Sequence, residues 1–328
     1  PARVDRQGLP AGDHVRAQPG RPGRATGADG EPTGRRSLIP AALACGLATL
    51  DIVHVVEAIP RSNDKIVAAS TEVAAGGPAL NAAATAAALG VRTTLVSAVG
   101  SDPLANQVLR DLESAGVGLV DVAAPGFTPP MSTVLVIADT GERAVVSRNA
   151  VGVDGYAVDA DTVAQSWLDG VAAVLVDGHH LPIALAVARA AQRRGIPVLL
   201  DGGSWKPGLE TLLALVDVAV VSADFRLPNA ALAADVLDSL LALGPSWVAR
   251  SAGADPVTWR SASGTGGMVA VPEVAVVDTL GAGDVLHGAL LAELAWHGLA
   301  DLPGALGRAV VVASASVATS GARGWAGT

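Results

Sequence analysis

The chain has 328 residues, half of them hydrophobic, which is enough to bury the core of one large domain or two smaller ones. A net charge of −9 gives no electrostatic footprint for nucleic acid. The single cysteine, Cys45, excludes an internal disulfide and a cysteine-built zinc site and fits a reducing, cytoplasmic setting.

Residues 1–36 run through Gly20, Pro22, Gly23, Gly27, Gly30, Pro32 and Gly34 with several arginines and little aliphatic periodicity. Such a segment buries too little apolar surface to offset its ordering entropy, so it is expected to be a disordered extension of one domain over 37–328. Arg35-Arg36-Ser37 and the apolar run up to Cys45 have some of the look of a twin-arginine lipoprotein signal. The apolar run continues past the cysteine, however, and reads better as a buried first strand over 41–48. Two short β-like runs follow within 52–73. The pattern next predicts a strand over 91–99, a helix over 103–114 and a hairpin of 132–137 with 142–147 around Asp139-Thr140-Gly141. Further on come a strand over 171–176, a helix over 181–194 and strands over 196–200 and 216–221. Near-continuous apolar strands separated by amphipathic helices predict an α/β fold, with a mostly parallel sheet covered on both faces. The segments 52–75 and 131–150 are expected to form a small antiparallel sheet projecting from it as a lid. No apolar run reaches membrane-spanning length without a charge, so no membrane partner is expected.

The strongest local signal is Val276-Val277-Asp278-Thr279-Leu280-Gly281-Ala282-Gly283-Asp284, followed by an apolar helix. It reads as a β-branched strand running through a glycine turn straight into a helix N-terminus. Backbone N–H groups there lack intrahelical partners and the macrodipole adds positive charge, which makes Gly281, Ala282 and Gly283 an anion hole for a transferring phosphoryl group. Asp284, in the first turn, is placed to take a proton from an attacking hydroxyl. A bare Gly-x-Gly-Asp would read equally well as an acidic residue complementing the dipole. The full nonapeptide is more specific: it resembles the C-terminal signature Asp-Thr-x-Gly-Ala-Gly-Asp of the ribokinase-like (PfkB) carbohydrate kinases.

That resemblance covers the chain from about residue 41 onward and implies a ribokinase-like fold and phosphoryl transfer from ATP, with magnesium, to a sugar hydroxyl. Gly76-Gly77-Pro78-Ala79-Leu80-Asn81 matches the family's N-terminal signature, whose glycines let the sugar approach the backbone and whose Asn binds its hydroxyls. Asp51 matches the sugar-binding acid after the first strand, and Glu142 and Asn149 fall where relatives approach the sugar. Ser251 and Gly253 resemble adenine-side loop residues. Many relatives carry Asn-x-x-Glu where this chain has Ser222-Ala223-Asp224-Phe225, a variant closer to ketohexokinase-like members, so the organisation of magnesium stays open and Ser222 is assigned to the nucleotide side. His287 follows the glycine turn where Asn is common, a feature of sulfofructose kinase-like members, which keeps an anionic ketose among the substrates. Lys206 is read as a contact for ATP phosphates or an anionic substrate group. Asp278 with the Leu280 carbonyl resembles half of a monovalent-cation site, with potassium the candidate. Relatives often dimerise through the lid, so a homodimer is expected. Two rival readings remain: a nucleoside kinase of the same fold, disfavoured by a lid without aromatics, and a sugar-binding regulatory protein that has lost catalysis.

Overall fold

The computed structural model describes residues 39–150, 156–157, 159–228 and 235–327. The extension expected over 1–36 lies outside the described residues. The chain enters as β1 (Ala41–Cys45), buried at every position. It leaves this first sheet at Gly46, whose amide donates to the Val96 carbonyl, and Ala48 N–H donates to Ser97 Oγ. The strand expected to reach residue 48 therefore ends at Cys45, and a new strand, β2 (Thr49–Val56), starts at once in a second sheet.

β3 (Ser70–Gly76), α1 (Pro78–Ala88), β4 (Arg92–Ser97), α2 (Ala105–Ser114) and β5 (Gly118–Asp121) follow. α2 starts at residue 105, two later than expected, because Asp102 spends its side chain and carbonyl on a turn that receives the Leu104 and Ala105 amides. Next come β6 (Met131–Ile137), β7 (Arg143–Ser147), α3 (Ala160–Trp167), β8 (Val171–Val176) and α4 (Leu181–Arg194). α4 ends on Arg193 and Arg194, which complement the C-terminal end of its dipole. β9 (Val198–Gly202), α5 (Leu209–Leu213), β10 (Val218–Val221), α6 (Val236–Leu241), β11 (Trp247–Ala252), β12 (Asp255–Ser261) and β13 (Gly266–Val269) complete the strands. The last two long helices are α7 (Ala282–His297) and α8 (Leu302–Ser316).

The main sheet has nine strands in the order β13-β12-β11-β10-β9-β8-β1-β4-β5, parallel from β11 to β5 and antiparallel at β12 and β13. Alternate residues of β1 feed two cores. Ala42 and Ala44 pack on the side holding α1, α7 and α8, and Leu43 and Cys45 on the side holding α4 and α5. The helices on the first side are alanine-rich and approach closely: a methyl group at Gly288 of α7 would overlap the Ala82 carbonyl of α1. The expected parallel sheet between helix layers is what the structure has.

The second sheet, β3-β2-β6-β7, is mixed rather than wholly antiparallel. β2 pairs antiparallel with β3 but parallel with β6. Between β3 and β6 the chain returns to the main sheet for β4 and β5, so β6 re-enters from the same end as β2, and only a parallel pairing is open to it. The run 276–277, expected as a strand, is also not one. Its valines are exposed, and the Val277 and Asp278 amides donate to the single carbonyl of Val317 instead of to a neighbouring strand. No helix among the described residues is long and apolar enough to cross a membrane.

Candidate active site

The small sheet faces the N-terminus of α7 across a cleft of about 840 Å³. One face of the sheet contributes Asp51, Val53, Ser132, Val134 and Ser147, placed together by the period-two alternation of β2, β6 and β7. Asn81 of α1 and the run 276–281 with Asp284 form the opposite side. None of the described residues lining this cleft is aromatic.

Gly281 caps α7 with φ 76°, a left-handed conformation that a side chain disfavours, and a Cβ there would overlap Ala322. The turn before it is clamped by Asp278, whose two carboxylate oxygens accept from Leu280 N at 2.8 Å and Gly321 N at 2.9 Å. Both oxygens of the residue expected to hold a monovalent cation are thus engaged in shaping the loop. On the sheet side, Arg143 donates from Nη1 to Thr279 Oγ1 at 2.8 Å and ties β7 to the same loop.

Asp284 sits one residue beyond Gly283 at the helix N-terminus. Its Oδ2 accepts from Asn81 Nδ2 at 2.7 Å, a contact spanning 203 residues of sequence. Enclosure by the protein pushes the Asp284 carboxyl up to about 7, and the nearby charges of Asp201 and Asp177 add to the rise. The Asn81 hydrogen bond and His287 pull the other way. Asn81 is buried, and its Oδ1 has no donor among the described residues. A buried acceptor beside a carboxylate is placed to receive a hydroxyl from a ligand in the cleft. Asp51 accepts from Thr49 Oγ1 at 2.7 Å, and burial raises its carboxyl against the opposing pull of Thr49, Ser132 and Arg323. Gly76, paired with Thr49, has no room for a side chain because a Cβ would overlap the Asp51 carboxylate.

The structure gathers Asp51, Gly76, Gly77, Asn81, Asn149, Asp278, Gly281 and Asp284 around this cleft, with Ala282 and Gly283 completing the helix start. It does not gather the others. Glu142 lies in the exposed β6–β7 turn, where its amide donates to Thr140 Oγ1, and it does not line the cleft. Lys206 donates to the Ser204 carbonyl and Ser222 Oγ to the Gly203 carbonyl, both beyond the ends of β9 and β10. Ser251 lies near the end of β11, and Gly253 in the turn to β12.

Sequence reasoning missed Arg143, Thr49 and Ser132, because their roles depend on strand register. Asp177, just after β8, and Asp201, near the end of β9, are both buried. Asp177 Oδ2 accepts from Leu47 N at 2.8 Å and Ala79 N at 3.3 Å, and Oδ1 accepts from His179 N at 2.8 Å. Burial alone would raise this carboxyl, but the His179 ring, Lys206 and the Leu47 amide hold it below the usual carboxylate range. His180 is also buried, and burial lowers its ring to about 4. Among the described residues no group of three or more His, Cys, Asp and Glu side chains is arranged to hold a metal ion.

Comparison with known proteins matches residues 41–326 to the pfkB family of carbohydrate kinases. The ATP-dependent ribose-1-phosphate kinase of Halopiger xanaduensis is 28% identical over 287 residues, covering 86% of this chain and 93% of that protein. The ribokinase of Bacillus subtilis is 26% identical over 291 residues, covering 85% and 93%. A solved structure of a candidate ribokinase from Agrobacterium tumefaciens superposes with a TM-score of 0.75 at 28% identity, over 87% of this chain and 94% of that one. These relatives are ribose-type kinases and give no support to the narrower likeness to ketohexokinase. With the family model spanning nearly all of the described chain, the cleft lies in a phosphotransferase, and the protein belongs to the pfkB family of carbohydrate kinases.

Proposed function

We propose that the protein transfers the γ-phosphoryl group of ATP to a hydroxyl of a small sugar bound between the small sheet and α7. The observation that supports this most is the Asn81–Asp284 pair, with a buried acceptor left open beside a carboxyl of raised pKa at a helix N-terminus. In this reading Asp284 takes the proton of the attacking hydroxyl, and the substrate oxygen forms a bond to the γ-phosphorus. The bond from that phosphorus to the β–γ bridging oxygen then breaks, and ADP leaves. Amides of the Gly281–Asp284 turn receive the charge on the equatorial oxygens. Asp51, Asn81, Asn149 and the Gly76-Gly77 turn would hold the sugar. The nucleotide would extend over the ends of β9, β10 and β11, where Lys206, Ser222, Ser251 and Gly253 fall.

The aliphatic and hydroxyl-bearing face of the small sheet favours a sugar over a nucleoside, which would want an aromatic surface for its base. The names of the two curated relatives widen the acceptor class beyond a ketose to ribose and its phosphates. Magnesium would arrive with ATP, since it keeps several waters and takes few protein ligands. Potassium activation would act through the Asp278 loop. A homodimer would form on the outer face of the small sheet, where Val73 and Val146 are exposed.

The test is ADP formation by the purified chain across ribose, ribose 1-phosphate, ketoses, sulfonated sugars and nucleosides. One sugar with strong turnover establishes the activity and names the acceptor class. A nucleoside preferred over every sugar overturns the sugar assignment, and sugar binding without ATP binding overturns the kinase assignment.

A further inference from the structure

His287 lies three residues after Asp284, on the same side of α7, and is 4% exposed. Its Nδ1 is 2.7 Å from the Gly283 carbonyl and 3.3 Å from Asp201 Oδ2, and its Nε2 is 3.0 Å from the Val220 carbonyl. Every one of these partners is an acceptor. Only a ring that donates from both nitrogens hydrogen-bonds to both carbonyls at once. Asp201, at the end of β9, is buried, and its Oδ2, beside the His287 ring, accepts no well-directed hydrogen bond among the described residues. Nothing in the proton transfer proposed above uses either side chain.

We propose that His287, in a buried couple with Asp201, positions Asp284 and keeps its carboxylate ionised for proton abstraction. The couple works through a second contact as well. By holding the Gly283 carbonyl, His287 fixes the peptide that leads into Asp284 and so fixes the direction of the first-turn amides. The charged groups acting on Asp284 are Asp201 and Asp177, which disfavour its ionised form, and His287, which favours it. Asp201 in turn faces His287, Asp177, Lys206 and His179. Taking away the ring removes the one cation among the groups acting directly on Asp284 and leaves it beside two carboxylates.

This inference rests on Asp284 being the base. The experiment is the pH dependence of kcat and of the sugar KM for wild type, His287→Asn, Asp201→Asn and Asp284→Asn. In His287→Asn the acid limb moves to higher pH by about one unit or more, and kcat recovers to within about threefold of wild type near pH 9. The sugar KM stays within about threefold. Asp201→Asn, which removes a like charge, moves the same limb to lower pH, so the two variants displace it in opposite directions. A kcat lowered equally at every pH with an unmoved limb, or both limbs moving the same way, overturns the proposal and leaves His287 a packing residue. If one variant does not fold, the direction of the limb in the other decides alone. Activity surviving in Asp284→Asn would instead overturn the base assignment itself, whatever His287→Asn does.

Discussion

A carboxyl near 7 at the floor of the cleft is about half ionised near pH 7, and the same burial that raises it affects folding. Its folded pKa lies above the unfolded value, so between about 4 and 7 the folded state holds a proton that the unfolded state has released. The contribution of Asp284 to stability therefore falls as pH rises through that window, while its competence as a base rises. Asp284→Asn separates the two effects. Turnover should drop by about 10³-fold or more with sugar affinity within about threefold. The variant should also melt higher than wild type near pH 8, by a margin that shrinks as pH falls toward 4. Steady-state kinetics, calorimetric sugar titration and melts at two pH values read all three. Unchanged turnover removes Asp284 from the mechanism, and equal melting temperatures at pH 8 remove the burial argument.

Three chain segments meet on one carboxylate at Asp177: the crossover from β1 to β2, the first turn of α1, and the turn after β8. Its pKa is held below the unfolded value, so its contribution is present above about pH 4 and is lost as pH falls further. Asp177→Asn keeps the shape but trades a charged acceptor for a neutral amide, and should cost about 2–4 kcal/mol near pH 7. Urea unfolding at pH 7 measures this, and a loss below about 0.5 kcal/mol would show that the junction does not depend on the charge. Elements that keep one environment along their length were legible in advance. β8 and α4 match their predicted bounds to the residue because apolar runs and the terminal arginines encode them locally. The strand expected at 276–277 failed because β-branched composition reports a preference for extended backbone, while pairing needs a neighbour that only the fold supplies. For the same reason the short runs of the small sheet were visible, and the parallel pairing of β2 with β6 was not.

Over the whole molecule, the legible part of the cleft came from two glycine-containing signatures 203 residues apart at their functional ends, Asn81 and Asp284. Local backbone demands write those signatures into the sequence. Arg143, Ser132 and the His287–Asp201 contact arise from register and from packing between layers, which no short spacing encodes. The arrangement of the two sheets makes a larger claim testable. The small sheet is reached by two separate excursions from the main sheet, β2–β3 and β6–β7, and meets the α7 side through the Arg143–Thr279 contact across the cleft. Its exposed Val145 and Val146 and the long exposed connection after β2 mark it as less buried than β1 or β8. Elements with few buried contacts open locally at lower free energy than the core. If a sugar bridges Asp51 on the small sheet and Asn81 on α1, its binding should slow amide exchange in β2, β3, β6 and β7 by about tenfold or more. Exchange in the buried strands β1 and β8 should change far less. Hydrogen exchange with and without the best sugar of the panel measures this directly. Protection confined to β11–β13 would place the sugar at the far edge of the main sheet and remove the lid role from the small one.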